Sequence, residues 1–195
     1  MKKVVAVILL LGASAIQAAT IAIDFEEFVA GDSGSGSIAT QGYTLTSSGS
    51  GTNPPDYGFR FVSGNDITYG YCPDCVASLS NSAGGSFSLV AADIYVGTTE
   101  PASITVTGYL MSGGVVQTDV AGGIGSVAGL DFQTVAFGAG WEDLERVEFG
   151  FANFDVFALG GYGLDNILVT AVPIPAAVWL FGSGLGLLGW FRRRA

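Results

Sequence analysis

The chain has 195 residues, enough for one domain with a real core, and carries seventeen acidic against seven basic residues with no histidine. Without histidine there is no Ser-His-Asp triad, no His-based metal site and no imidazole acid–base chemistry. A formal charge of −10 repels nucleic acid and anionic lipid, which excludes nucleic-acid binding.

The first residues, Met1-Lys2-Lys3, are followed by the apolar run Val4 to Leu11 and the small, polar stretch Gly12 to Ala19. That order is a positive n-region, an h-region too short to span a bilayer comfortably, and a small-residue cleavage site. Cleavage after Ala18, with Ile16 three positions from the cut, fits best, and the neighbouring bond also fits. A buried N-terminal helix is the alternative, opposed by the lysine pair and the Ala-rich exit. Residues 1–18 therefore read as a signal peptide.

From residue 19 to 171 the pattern is period two with glycine punctuation, which predicts strands throughout. Ile21, Ile23 and Phe25 share one face of the first run. A Gly/Ser-rich loop (Gly31 to Ser37) precedes a short strand at Tyr43 and Leu45, and a polar loop over residues 47–57 follows. Phe59–Val62, Val76–Leu79 and Phe87–Val90 read as further strands. Ile104, Val106, Gly108 and Leu110 alternate up to Ser112-Gly113-Gly114, after which Val115–Thr118 returns as a hairpin. Leu130–Phe137 is the next strand. Beyond Trp141 the spacing of Leu144, Val147, Phe149 and Phe151 allows one helical turn before a strand, and Tyr162–Val169 closes the body. Nine or ten short strands in an exported domain predict an all-β fold, an antiparallel β-sandwich of jelly-roll type. It is flanked by the N-terminal signal helix and a C-terminal transmembrane helix.

The chain ends in Val172-Pro173-Ile174-Pro175-Ala176, an uncharged stretch to Phe191, and Arg192-Arg193-Arg194 before Ala195. From Ile174 to Phe191 a helix rising about 1.5 Å per residue reaches about 27 Å, enough for a thin bilayer. Trp179 and Trp190 sit near its ends, as amphipathic rings do at lipid interfaces. Under the positive-inside rule the arginines stay in the cytoplasm as an anchor, which places the body outside, in agreement with the signal peptide. A plain single-span anchor would meet the same description.

Residues 172–195 resemble the PEP-CTERM sorting signals of Gram-negative bacteria, closest to the form written VPLPA-CTERM. The matching residues are Val172, Pro173, Ile174, Pro175 and Ala176, then Phe181 to Leu185, then Arg192 to Arg194. Ile174 replaces the usual Leu, and the glutamate of Pro-Glu-Pro is missing. The resemblance implies processing by an exosortase, a membrane-embedded cysteine protease, with transient anchoring before display on the surface or in the extracellular matrix. It also implies association with exopolysaccharide and biofilm. The prolines hold the motif extended just outside the membrane, as a protease requires. The catalytic residues of that step belong to the sorting enzyme, and none is assigned to this chain.

A second resemblance covers two strands only. Ile23 to Glu27 and Leu164 to Val169 are similar to the opening and closing strands of galactose-binding-like jelly rolls, where nearby acidic residues hold a structural calcium. Carried over, Glu26, Glu27 and Asp165 are the candidate ligands, with Asp24 less apt, and carbonyls and water would complete the six to eight oxygens that calcium takes. Solvated or turn-capping carboxylates are the alternative.

The rest of the body is read by its charges, thiols and rings. All seventeen acidic residues lie there against Arg60 and Arg146 alone, a formal charge near −15. Cys72-Pro73-Asp74-Cys75 offers two thiols and no histidine, short of the four ligands zinc takes. In an oxidising exterior the pair reads as a local disulfide contributing about 2 kcal/mol. Glu142, Asp143, Glu145 and Glu148 form the densest acidic cluster, which suits a glycosidase pair or, more simply, a solvated turn. Tyr57, Tyr69 and Tyr71 fall in loop-like stretches, where they serve as loop anchors or as a platform for a sugar. The expected body is thus non-enzymatic, with a defined carbohydrate-binding module as the alternative and a polysaccharide-degrading enzyme as the third class.

Overall fold

Apolar residues at every second position give a strand one face to bury, and that alternation is what the body of this chain supplies. A computed structural model describes residues 19–28, 33–34, 36–48, 59–62, 67–70, 76–98, 103–124, 132–151 and 160–171, together with residue 184. Contacts divide the chain into one unit of Ala19–Val172 and another of Met1–Ala18 with Pro173–Ala195. The signal peptide, the sorting motif Val172–Ala176, the arginine cluster, Cys72, Cys75, Tyr57 and Tyr71 lie outside the described residues. Among the described residues no helix is long and apolar enough to cross a membrane, and of the stretch Ile174–Phe191 only Gly184 is among them.

Fourteen strands are described, nearly all antiparallel. The first group is β1 (Thr20–Ile23), β2 (Ser33–Gly34), β3 (Ser37–Thr40), β4 (Tyr43–Ser48), β5 (Phe59–Val62), β6 (Ile67–Gly70) and β7 (Val76–Asn81). The second is β8 (Phe87–Thr98), β9 (Ser103–Leu110), β10 (Val115–Ala121), β11 (Gly123–Ile124), β12 (Gln133–Ala136), β13 (Leu144–Phe151) and β14 (Gly160–Ala171). They pair along one nearly closed path, β2-β5-β6-β14-β8-β13-β7-β4-β3. Strand β1 is added to β14, β11 and β12 to β8, β9 to β13 and β10 to β9. Only the two-residue β11 runs parallel to its neighbour.

The path falls into two halves joined, among the described residues, by a single rung that sets Leu144 opposite Phe87. The inward residues of both halves form one core. Leu45, Leu79, Val106, Val147 and Phe149 come from one side, and Ile23, Leu89, Ile94, Leu164, Ile167 and Val169 from the other. One side chain ties the halves together. The buried Tyr162 hydroxyl on β14 donates to the carbonyl of Phe149 (2.9 Å) and accepts from the N–H of Ala77 (3.0 Å), reaching β13 and β7 at once.

The strand expectations hold where alternation is clean and fail where it is broken. Strand β8 runs twelve residues, well past the expected Phe87–Val90, because its buried positions change phase from 87, 89 and 91 to 92, 94 and 96. The matching shift on β14 lies between Asp165 and Val169. A one-residue bulge turns a strand while keeping apolar side chains inward. The turn before β13 is not helical: Asp143 takes a left-handed φ of 56° and the strand starts at Leu144. Tyr69 lies in β6 rather than in a loop, β2 falls inside the expected Gly/Ser loop, and β3 starts at that loop's last residue, Ser37.

Candidate functional site

The bulge on β14 is where that strand changes partners. Tyr162–Leu164 pair with β6, while Ile167–Thr170 pair with β1. Between them Asn166 takes a left-handed φ of 44°, a conformation its short polar side chain tolerates better than most. The bulge gathers polar groups from neighbouring strands. Asp165 on β14 stands opposite Asp93 on β8, and Asp93 stands opposite Thr134 on β12.

Hydrogen bonds run along this row. Thr134 Oγ1 donates to Asp93 Oδ1 at 2.6 Å. The Asn166 side-chain amide donates to Asp93 Oδ2 at 3.0 Å and to Asp165 Oδ2 at 3.2 Å, and the Asn166 N–H donates to Asp165 Oδ1 at 2.8 Å. On the β1 side, Gln41 Nε2 donates to Asp24 Oδ1 at 2.8 Å. Like charges directly opposite each other destabilise a strand pair, and the amide of Asn166 offsets this by bonding to both carboxyls.

Asp165 is 3% exposed. Burial pushes its carboxyl up to about 6, against the lowering effect of the Asn166 hydrogen bond, and the negative neighbours Asp93, Glu26 and Asp24 add to the rise. The group therefore takes up its proton at mildly acidic pH, above the range of an exposed carboxyl.

The three residues carried over as calcium ligands are placed unequally. Asp165 lies in the row and Glu26 is close enough to act on its charge, while Glu26 and Glu27 are both exposed. Both Asp165 oxygens already accept from Asn166. Among the described residues no three Asp, Glu, Cys or His side chains come together as a metal shell. Glu26, Glu27 and Asp165 are thus not gathered into a single shell in this structure.

The acidic cluster at 142–148 is spread apart by its strand. Glu142 and Glu145 are exposed, and Glu142 Oε2 accepts from the Gly140 N–H. Glu148 belongs to a surface triad on the outer face of β9 and β13. Its Oε1 holds Arg146 Nε at 3.0 Å, and its Oε2 accepts from the Tyr109 hydroxyl at 2.7 Å. The Arg146 guanidinium lies 3.6 Å over the centre of the Tyr109 ring, since Arg146 and Tyr109 are register partners. The hydrogen bond to Glu148 holds the Tyr109 hydroxyl proton, raising that group above the usual tyrosine range. Thr105 with Asp119, and Gln117 with Thr107, extend the same polar face.

No protein-family model matches the chain. No curated protein sequence matches it either. A solved structure entitled "Crystal structure of Bacteriophage CBA120 tailspike protein 4 enzymatically active domain" is similar at 12% identity, over 70% of this chain and 19% of that one, with a TM-score of 0.28. That likeness is too slight to bear on fold or activity.

Two of the residues joined at the bulge, Asp165 and Asn166, stand out in the sequence within Leu-Asp-Asn-Ile. Asp93 and Thr134 do not. The available signal for Asp93 was a charged residue inside an otherwise apolar run, Ala91-Ala92-Asp93-Ile94.

Proposed function

We propose that this is an exported, non-enzymatic protein of the surface or extracellular matrix of a Gram-negative bacterium. In this reading signal peptidase removes residues 1–18, residues 172–195 anchor the chain briefly, and an exosortase then processes it. The body is a jelly-roll sandwich that associates with extracellular polysaccharide. The observation that carries the reading is the succession of features in the tail sequence: Val172-Pro173-Ile174-Pro175-Ala176, an uncharged stretch to Phe191, then three arginines. Each part does physical work there. The prolines keep the motif extended, the apolar stretch presents it at the bilayer, and the arginines fix its orientation. A non-enzymatic body is supported by the lack of histidine, which removes the Ser-His-Asp triad and imidazole acid–base chemistry.

Mass spectrometry of the mature protein tests the sorting step. The expected C-terminus lies upstream of Arg192, and recovery of mature chains intact through Ala195 would refute it. A carbohydrate-binding module is favoured as second reading by one feature, the triad of Tyr109, Arg146 and Glu148. It offers a flat cation and a carboxylate side by side, groups that can donate to and accept from neighbouring sugar hydroxyls. In polysaccharide pull-downs, the Tyr109→Ala variant should then lose retention that the unaltered protein shows. Equal retention of both would remove the triad from consideration.

A further inference from the structure

The two ends of the described body meet at one rung. Thr20 lies two residues beyond Ala18, the expected signal-peptidase cut, and Thr170 lies two residues before Val172, which opens the sorting motif. Strand β1 pairs Thr20 with Thr170, and their hydroxyl oxygens are 3.3 Å apart. Two processing sites separated by most of the sequence thus flank the same pair of residues.

The residues upstream of the motif are held on both edges. Ile167–Thr170 pair with β1 on one side, and Leu168–Ala171 pair with β8 on the other. A protease binding extended substrate uses the main-chain N–H and C=O groups of at least one strand edge. Those groups on Ile167–Thr170 are offered to an enzyme only when a flank opens.

The two flanks differ in how readily they open. Strand β8 pairs with β14 from end to end and with β12 beyond it, in the middle of the sheet. Strand β1 has four residues and, among the described residues, pairs with β14 alone. Within β1 the grip is graded. Thr20 is exposed and Ile21 half-buried, whereas Ile23 and the following Phe25 are fully buried. The outer rungs can therefore fray while the inner residues stay seated in the core.

We propose that β1 is a latch on the sorting signal: the closed Thr20–Thr170 rung withholds the residues upstream of Val172 from the sorting protease, which acts on chains whose outer β1 rungs are open. The proposal rests on reading residues 172–195 as an exosortase signal and adds to it a means of control. Cleavage after Ala18 leaves β1 with a free end one residue before the rung. Signal removal and sorting then act on the two partners of one pair of strands.

The hydroxyl separation makes the rung a suitable place for a covalent staple, because paired strand positions with side chains in contact fall within disulfide reach. The test uses the full chain with Thr20→Cys and Thr170→Cys in a Cys72→Ser, Cys75→Ser background, expressed in cells that carry the exosortase, with that background alone as control. Thiol labelling reports closure of the staple and mass spectrometry reports the C-terminus. Under oxidising conditions the stapled chain is expected to accumulate as precursor ending in Ala195, and reductant should restore processing. Insertion of Gly-Ser-Gly-Ser between Ala171 and Val172 should restore it with the staple closed, because the motif then clears the ladder. A closed staple with processing equal to the control overturns the latch while leaving the sorting reading intact. Precursor that persists with reductant and with the spacer also overturns it, since the loss then comes from the substitutions. A control that itself retains Ala195 defeats the sorting reading and the latch together.

Discussion

Burial of a single carboxyl makes the stability of this domain depend on pH in an unusual sense. The folded-state value of Asp165 lies near 6, above its ordinary 3.8, so the folded chain holds that proton more tightly than the unfolded chain. Its stabilising contribution is complete below the ordinary value and is lost as pH rises through about 6. Asp165→Asn removes the loss. Relative to the unaltered protein the variant should gain on the order of 1 to 2 kcal/mol at pH 8, and that gap should close by pH 4, as measured by denaturant unfolding. A gap of equal size at both pH values would contradict this account. Two buried tyrosines make a sharper comparison. Tyr162→Phe leaves the Ala77 N–H and the Phe149 carbonyl without the hydroxyl that bridges them, at a cost of about 1 to 3 kcal/mol. The hydroxyl of Tyr43 is buried with no hydrogen-bond partner among the described residues, and its ring packs edge-on against Phe87 at 5.5 Å. Tyr43→Phe keeps the ring contact and removes an unmet polar group, so it should be neutral or stabilising. Equal losses for the two variants would sink both arguments.

The elements depend on small residues at two close approaches. A Cβ on Gly108 in β9 would come within 2.8 Å of Leu144 Cδ2 and 2.9 Å of Val116 Cγ1. At Gly122, between β10 and β11, it would come within 2.5 Å of Val96 Cβ and 2.9 Å of the Val96 carbonyl oxygen, which belongs to backbone and cannot swing aside. Gly122→Ala should therefore cost at least the ~1–3 kcal/mol of an overpacked core. Gly138→Ala meets open space and should leave the melting temperature unchanged, which makes it the control. The hairpin of β9 and β10 was readable from alternation around Ser112-Gly113-Gly114, and Gly113 and Gly114 indeed carry the positive φ of its turn. Strand β8 was half readable. Its buried positions change phase at Ala91-Ala92, beside the slip in register with β14, and a fixed period of two loses such a strand. Strands β2, β6 and β11 have two to four residues each, too few for a period to show.

At the scale of the whole molecule, charge is the dominant surface property. Seventeen acidic residues against two arginines in the body repel one another, and salt screens that repulsion as the Debye length falls from about 10 Å at 0.1 M to about 3 Å at 1 M. The melting temperature should rise with sodium chloride over that range, and a flat or falling response would show that pairs such as Arg146 and Glu148 outweigh the net charge. Several properties were determined by the sequence alone: the all-β class, the acidic body and the absence of imidazole chemistry. These follow from composition and from patterns repeated over many neighbouring residues. The pairing of Thr20 with Thr170, the row from Thr134 through Asp93 to Asn166, and the stacking of Arg146 on Tyr109 were decided only by the tertiary structure. Each joins strands distant in sequence, and strand register is set by which faces must be buried together, a condition that no local stretch of the chain contains.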